Sequence, residues 1–211
     1  MKEYFAKAHS IQKQIAKLVE ITPIEKNVTT VVGIDVSYRG NLAFGCLVKW
    51  DVKKEKVIEL VKRKFEVKFP YISTLLMFRE GPILLKLYRE SDRDGDVYLI
   101  NGHGLLHPRY AGLATFFGVI TGEHTIGVAK RLIRGLQAKI VGDVVYLNER
   151  ELGVIYRPRS VKRHLYASIG NKVTIGDIRR VLRKCDRGFK LPEPLRLAHI
   201  ESRRMLKNEN L

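Results

Sequence analysis

Three short apolar runs in this 211-residue chain lead into residues that can bind a cation or move a proton. Val31-Val32-Gly33-Ile34 leads to Asp35. Val97-Tyr98-Leu99-Ile100 leads to Asn101-Gly102-His103-Gly104 and then His107. Ile126-Gly127-Val128-Ala129 leads to Lys130. Between the first two lies Phe78-Arg79-Glu80-Gly81. A carboxylate ending a strand can reach a hard cation, and Mg²⁺ takes oxygen ligands with waters completing an octahedron. The same Asp could equally cap a turn. Glu80 is either a second ligand or a surface helix carboxylate. The glycines around His103 let a ligand approach the backbone, and they also permit a tight turn. His107 offers a proton carrier and Arg109 a guanidinium for phosphate. Lys130 places a cation where the strand ends converge, or is one of 39 basic residues. Together these types point to metal-dependent phosphodiester chemistry.

The charge balance agrees with that substrate class. Thirty-nine Lys and Arg against 22 Asp and Glu leave a net charge of +17. Such an excess favours a polyanionic partner, because each cation placed on a phosphate releases condensed counterions. The alternative is a solvated basic surface. No apolar stretch approaches the roughly 18–20 residues of a membrane span. Residues 1–20 carry scattered lysines and no apolar core, unlike a signal peptide. Cys46 and Cys185 form no paired motif, which fits a reducing, cytoplasmic setting.

The elements that must position these groups read as follows. Residues 3–20 place Tyr4, Phe5, Ala8, Ile11, Ile15, Leu18 and Val19 on one helical face, ended by Pro23. Strands at 31–38, 42–50 and 57–67 form an antiparallel meander. Pro70 marks a loop. Ser73 or Thr74 caps a helix over 75–88, with Pro82 implying a kink or a new start near Gly81. Residues 97–100 form a strand buried on both faces. A helix over 111–120, a strand at 126–129, a hairpin of 144–147 with 153–156, a strand at 165–169 and helices at 175–184 and 194–207 complete the pattern, and the last few residues fray. The interleaving gives an α/β class with a mixed sheet. No linker divides the chain, so residues 1–211 form a single domain.

The motifs, taken in order, resemble the endonuclease V family. The stretches are Val-Gly-Ile-Asp-Val-Ser at 32–37, Pro-Tyr-Ile at 70–72, Phe-Arg-Glu-Gly-Pro at 78–82, Asn-Gly-His-Gly-Leu-Leu-His-Pro-Arg at 101–109, Thr-Ile-Gly-Val-Ala-Lys at 125–130 and Pro-Glu-Pro-Leu-Arg-Leu-Ala-His at 192–199. The resemblance implies a ribonuclease H-like fold, with a mixed central sheet flanked by helices. It also implies a Mg²⁺-dependent endonuclease; Mn²⁺, less demanding of hard ligands, is the expected substitute, and the chain is expected to act as a monomer. Its substrate would be inosine-containing DNA, and for some members RNA. Cleavage would fall at the second phosphodiester bond 3′ to the lesion, leaving a 3′-hydroxyl and a 5′-phosphate.

Carried over residue by residue, Asp35, Glu80 and position 101 would hold the metal, with His199 as a further ligand. His107 and Lys130 would act near the scissile phosphate. Tyr71 would be the wedge that enters the duplex where the damaged base leaves. Leu76, Gly102, Gly104 and Leu113 would surround the base, with Arg109 nearby. Two positions depart from the family pattern. Ser73 stands where the wedge ordinarily has a second proline, and Asn101 stands where the family has Asp. An amide is neutral and offers one oxygen, so the resemblance implies a weakened metal site. The competing readings are a non-catalytic inosine-binding protein and another ribonuclease H-like nuclease, such as a junction resolvase.

Overall fold

The computed structural model describes residues 2–209, with side chains from Phe5 onward. Tyr4 and the final residues 210–211, expected on a helix face and at a fraying end, lie outside the described side chains. The first helix, α1 (Lys2–Lys17), stops earlier than its spacing implied. Leu18 lies exposed beyond it. The chain turns there to bring Glu20 to Asn171 and Lys172, with which its backbone exchanges hydrogen bonds.

The meander is β1 (Thr30–Arg39), β2 (Leu42–Asp51) and β3 (Lys56–Glu66). A 3-10 turn (Ser73–Leu75) leads into α2 (Leu76–Arg89). Neither Ser73 nor Thr74 caps that helix: its N-cap is Leu75, without a side-chain hydrogen bond. Nor does the helix restart at Gly81. It runs through Pro82 because Met77, Gly81, Ile83, Leu84 and Leu87 are all buried, and packing outweighs one missing N–H donor. There follow β4 (Val97–Asn101), α3 (Leu113–Thr121), β5 (Thr125–Ala129), β6 (Ala138–Val141), β7 (Val144–Leu147), β8 (Arg150–Tyr156), β9 (Leu165–Asn171), α4 (Ile175–Lys184) and α5 (Glu193–Asn208). β6 was absent from the sequence reading. It is a four-residue edge strand with no buried face, so it carries no alternation to detect.

All nine strands described join one sheet, ordered β3-β2-β1-β4-β5-β9-β8-β7-β6. Only the centre is parallel: β1 with β4, and β4 with β5. Those strands are apolar because both faces are covered. On one face, Val32, Ile34, Tyr98 and Ile100 pack against Met77, Leu84, Leu113 and Phe117 of α2 and α3. On the other, Val31, Val97, Leu99 and Ile126 pack with Ile178, Val181 and Leu195 of α4 and α5.

One glycine fixes where α5 lies. A Cβ on Gly33 would sit 2.3 Å from the carbonyl carbon of Pro194, so only glycine lets the helix start rest on β1. From that contact the two elements run side by side. Ser37 Oγ meets Ser202 Oγ at 2.8 Å, and Arg39 Nη2 donates to Leu206 O at 2.6 Å. Six residues of strand advance about 20 Å, and the twelve residues from Pro194 to Leu206 advance about 18 Å, so the registers stay matched. Asp35 shares the Gly33 face and therefore looks at α5.

Candidate active site

Asp35 and Asn101 were expected to end neighbouring strands. They are neighbours, since Ile34 pairs with Ile100 in parallel register. Asp35, however, lies within β1, which continues to Arg39 along β2. It is β4 that stops, and its end exposes the middle of β1. The Asn101 amide there donates from Nδ2 to Asp35 Oδ1. The other oxygen, Oδ2, accepts from Ser202 Oγ at 3.0 Å and lies 2.9 Å from His199 Nδ1. Asp35 is 2% exposed, so these partners replace water around a buried carboxylate. Ser202 was missed in the sequence, although it stands three residues after His199, on the same helix face.

Glu80 comes from α2, on the opposite face of the sheet. Burial, followed by the charge on Asp35, pushes its carboxyl up to about 8. Tyr38 Oη is buried beside it without a well-formed hydrogen bond, and the Arg79 guanidinium stacks 4.3 Å from the Tyr38 ring centre. Burial and the charge on Asp35 both oppose a second negative charge here, and a divalent cation would offset it. Three oxygen donors and one imidazole suit Mg²⁺ or Mn²⁺ in kind. This corner fits such an ion in donor type, while Asp35, Glu80 and His199 do not bring their ligand atoms within 4.8 Å of one another.

A different acidic group could hold a cation on distance alone. Glu59, Asp92 and Asp94 offer ligand atoms within 4.8 Å of one another, the only such set among the described residues. Lys49 Nζ already fills it, at 3.4, 3.1 and 2.6 Å from the three carboxylates. A buried ammonium in that position supplies the charge a metal would bring.

His107 and Arg109 belong to a second cluster. His107 is buried. Its Nδ1 accepts from Arg109 N–H at 3.2 Å, so Nε2 carries the proton and donates to Thr74 O at 3.0 Å. Burial, reinforced by the Arg109 charge, holds His107 down at about 3, so it is neutral near pH 7. Arg109 Nη2 also donates to Thr74 O, at 3.1 Å, and its Nε donates to Gln12 Oε1 at 2.5 Å. Gln12 Nε2 donates to the same carbonyl at 2.8 Å and to Ala111 O at 3.2 Å. Three side chains thus converge on one carbonyl beside the Tyr71 loop. Gln12 is fully buried; its trace in the sequence is a lone amide within the apolar face of α1.

Leu76 and Leu113 line a cavity of about 20 Å³ with Thr74, His103, His107 and Gly112. That volume has room for about one water. Gly102 N–H is bonded to Ile100 O and Val128 O, and Gly104 N–H to Ser168 Oγ at 2.8 Å. Neither donor is free for a ligand. Gly104 instead needs glycine for close packing, since a Cβ there would lie 2.0 Å from Ile169 O, whereas a Cβ on Gly102 would meet only the Leu113 side chain, at 3.2 Å. Tyr71 is 70% exposed at the tip of its loop. Lys130 is exposed and lines a separate basic cavity. No helix among the described residues is long and apolar enough to cross a membrane.

Comparison with known proteins gives this arrangement a family. The model for Endonuclease V matches residues 13–200. Endonuclease V of Thermosipho melanesiensis is 32% identical over 210 residues, covering 97% of this chain and 92% of the relative. The catalytic domain of human Endonuclease V has the same ribonuclease H-like fold, with a TM-score of 0.88 at 27% identity, over 99% of this chain and 98% of that one. Ciona intestinalis Endonuclease V, in complex with a 24mer DNA containing an inosine followed by a ribo-adenosine, gives a TM-score of 0.87 at 25% identity, over 98% and 99%. A family match across most of the chain, on a fold that sets Asp35 beside Asn101 and His199, shows that the chain belongs to the endonuclease V family of nucleases.

Proposed function

We propose that this single domain is a Mg²⁺-dependent endonuclease directed at inosine in nucleic acid. It cuts the second phosphodiester bond 3′ to the inosine and leaves a 3′-hydroxyl and a 5′-phosphate. The observation that carries this reading is the buried Asp35 carboxylate, held by Asn101, His199 and Ser202 where β4 ends. Nucleases of this family are typically metal-dependent. Asp35, Glu80 and His199 would hold the ion, with Asn101 offering only an amide oxygen. A bound Mg²⁺ supplies charge stabilisation at the phosphate and lowers the pKa of water. Lys130 adds a cation at the scissile phosphate. Tyr71 fills the gap left by the displaced base, and Leu76 and Leu113 flank that base once the small cavity opens. The hydrogen bonds of His107 and Arg109 favour positioning of the Tyr71 loop over proton transfer, because neither ring nitrogen of His107 is free.

A second reading, an inosine-binding protein that does not cut, is favoured by one observation. The Asn101 amide nitrogen, rather than an oxygen, faces Asp35. One experiment separates the two: inosine-containing and undamaged duplexes are incubated with the protein and Mg²⁺ or chelator, and the products are mapped. Metal-dependent cutting confined to the inosine strand supports the nuclease. Selective binding without cutting supports the reader, and equal treatment of both duplexes sinks both.

A further inference from the structure

Five cations, Lys130, Arg131, Lys162, Arg163 and Lys190, line an open cavity of about 640 Å³ together with His164 and Tyr166. They come from three segments: the end of β5, the β8–β9 loop and the loop before α5. None of the five forms an ion pair among the described residues. By contrast, Arg63 and Lys86 share Glu90, and Lys62 pairs with Glu201.

The convergence is built into the fold. Asp186, itself buried, accepts from Arg159 N–H at 3.2 Å with one oxygen and from Gly188 N–H at 2.8 Å with the other. That carboxylate ties the loop bearing Lys162 and Arg163 to the segment bearing Lys190. Ser160 Oγ lies 3.1 Å from where a Gly188 Cβ would be, so the two loops are in contact. Five like charges gathered without a counter-charge repel one another and destabilise the folded chain. A ligand with several negative charges reverses that cost. His164 and Tyr166 meet edge to face at 5.1 Å and give the cavity an aromatic wall, which suits a strand carrying bases as well as phosphates.

We propose that this cavity holds the sugar–phosphate backbone of a nucleic acid strand, without regard to base identity, as a track continuing from Lys130. The inference rests on the nuclease reading above, but it fails separately. The test compares Lys162→Gln/Arg163→Gln with Arg63→Gln/Lys86→Gln, which removes the same charge from paired cations. Binding of inosine-containing and undamaged duplexes is followed by fluorescence anisotropy over a range of salt concentrations. The cavity variant is expected to lower the slope of log K against log salt by about 2, since each phosphate contact contributes about 0.9. Both duplexes should weaken by the same factor, and the control variant should match the parent. A slope unchanged from the control overturns the proposal. A loss confined to the inosine duplex also overturns it, because the cavity would then belong to base recognition. A parent with no preference for inosine sinks the nuclease reading and leaves the slope comparison valid.

Discussion

The two buried polar clusters differ in what their side chains have left to offer. Around Thr74 O, Gln12, His107 and Arg109 all direct donors at protein acceptors, and His107 is neutral with both ring nitrogens bonded. Around Asp35 a negative charge is only partly answered. Its partners are an amide, a hydroxyl and an imidazole, and Glu80 is driven towards its protonated form. A saturated network rigidifies. A cluster with excess negative charge awaits a cation. On the proposed reading one cluster sets geometry and the other sets chemistry, although the sequence presents both as similar mixtures of His, Arg and carboxylate or amide.

The largest expected effect tests the chemical cluster. Asn101→Asp should raise Mg²⁺-dependent cleavage of inosine duplex on the order of a hundredfold or more, because several kcal/mol of charge stabilisation at a metal translate into that much rate. Binding should change little. Asp35→Ala in the Asn101→Asp background should abolish cutting again. Single-turnover cleavage rates check this, and equal rates for the parent and Asn101→Asp would remove position 101 from the metal site.

Tyr71 reads out the geometric cluster. Tyr71→Ala should cut the preference for inosine duplex over undamaged duplex by tenfold to a hundredfold, the equivalent of about 1–3 kcal/mol of base–aromatic stacking. Competition binding measures it, and undiminished discrimination would make the exposed ring incidental.

A smaller effect isolates the brace itself. Gln12→Ala leaves Arg109 Nε without its acceptor and removes one of three donors from Thr74 O, a change worth about 1–3 kcal/mol. If the brace positions the wedge, affinity for inosine in duplex should fall up to about tenfold, while affinity for inosine in a single strand should hold, since no wedge is needed there. Loss of both to the same degree would reduce Gln12 to a general packing role. Gln12→Glu, which keeps the acceptor for Arg109, should recover part of the duplex affinity.

Much of this was legible in the chain. The apolar run before Asn101 specified a strand buried on both faces, and the motif order placed Asp35 beside it. Strand alternation does not say where a neighbouring strand stops, so Asp35 was read at an end when it is β4 that ends. The duties of Arg109 and the glycines were hidden for another reason. A guanidinium suited to phosphate is equally suited to a carbonyl, and only the fold brings Gln12 and Thr74 to it across 97 and 35 residues of sequence. The basic cavity was hidden too: net charge counts cations without saying which are paired.

The two clusters also predict opposite responses to pH. Glu80 has a folded value of about 8, raised from 4.5, so the folded state holds a proton that the unfolded state releases between those values. Its contribution is fully present below about 4.5 and is lost as pH rises through 8. His103 and His107 have folded values lowered from 6.5 to about 4 and about 3. The unfolded state gains their protons first, so their contribution is present above 6.5 and is lost as pH falls towards those values. Thermal melts from pH 4 to 9 should therefore fall away on both sides. For a chain of this size each kcal/mol moves the midpoint by about 2–4 °C. Glu80→Gln should flatten the alkaline limb and leave the acid limb intact. Mg²⁺ at pH 8.5 should raise the parent's midpoint more than that of Glu80→Gln, because only the parent has a second carboxylate charge for the ion to offset. An alkaline limb unchanged by Glu80→Gln, with Mg²⁺ stabilising both proteins equally, would show that Glu80 does not share the Asp35 field and would remove it from the metal site.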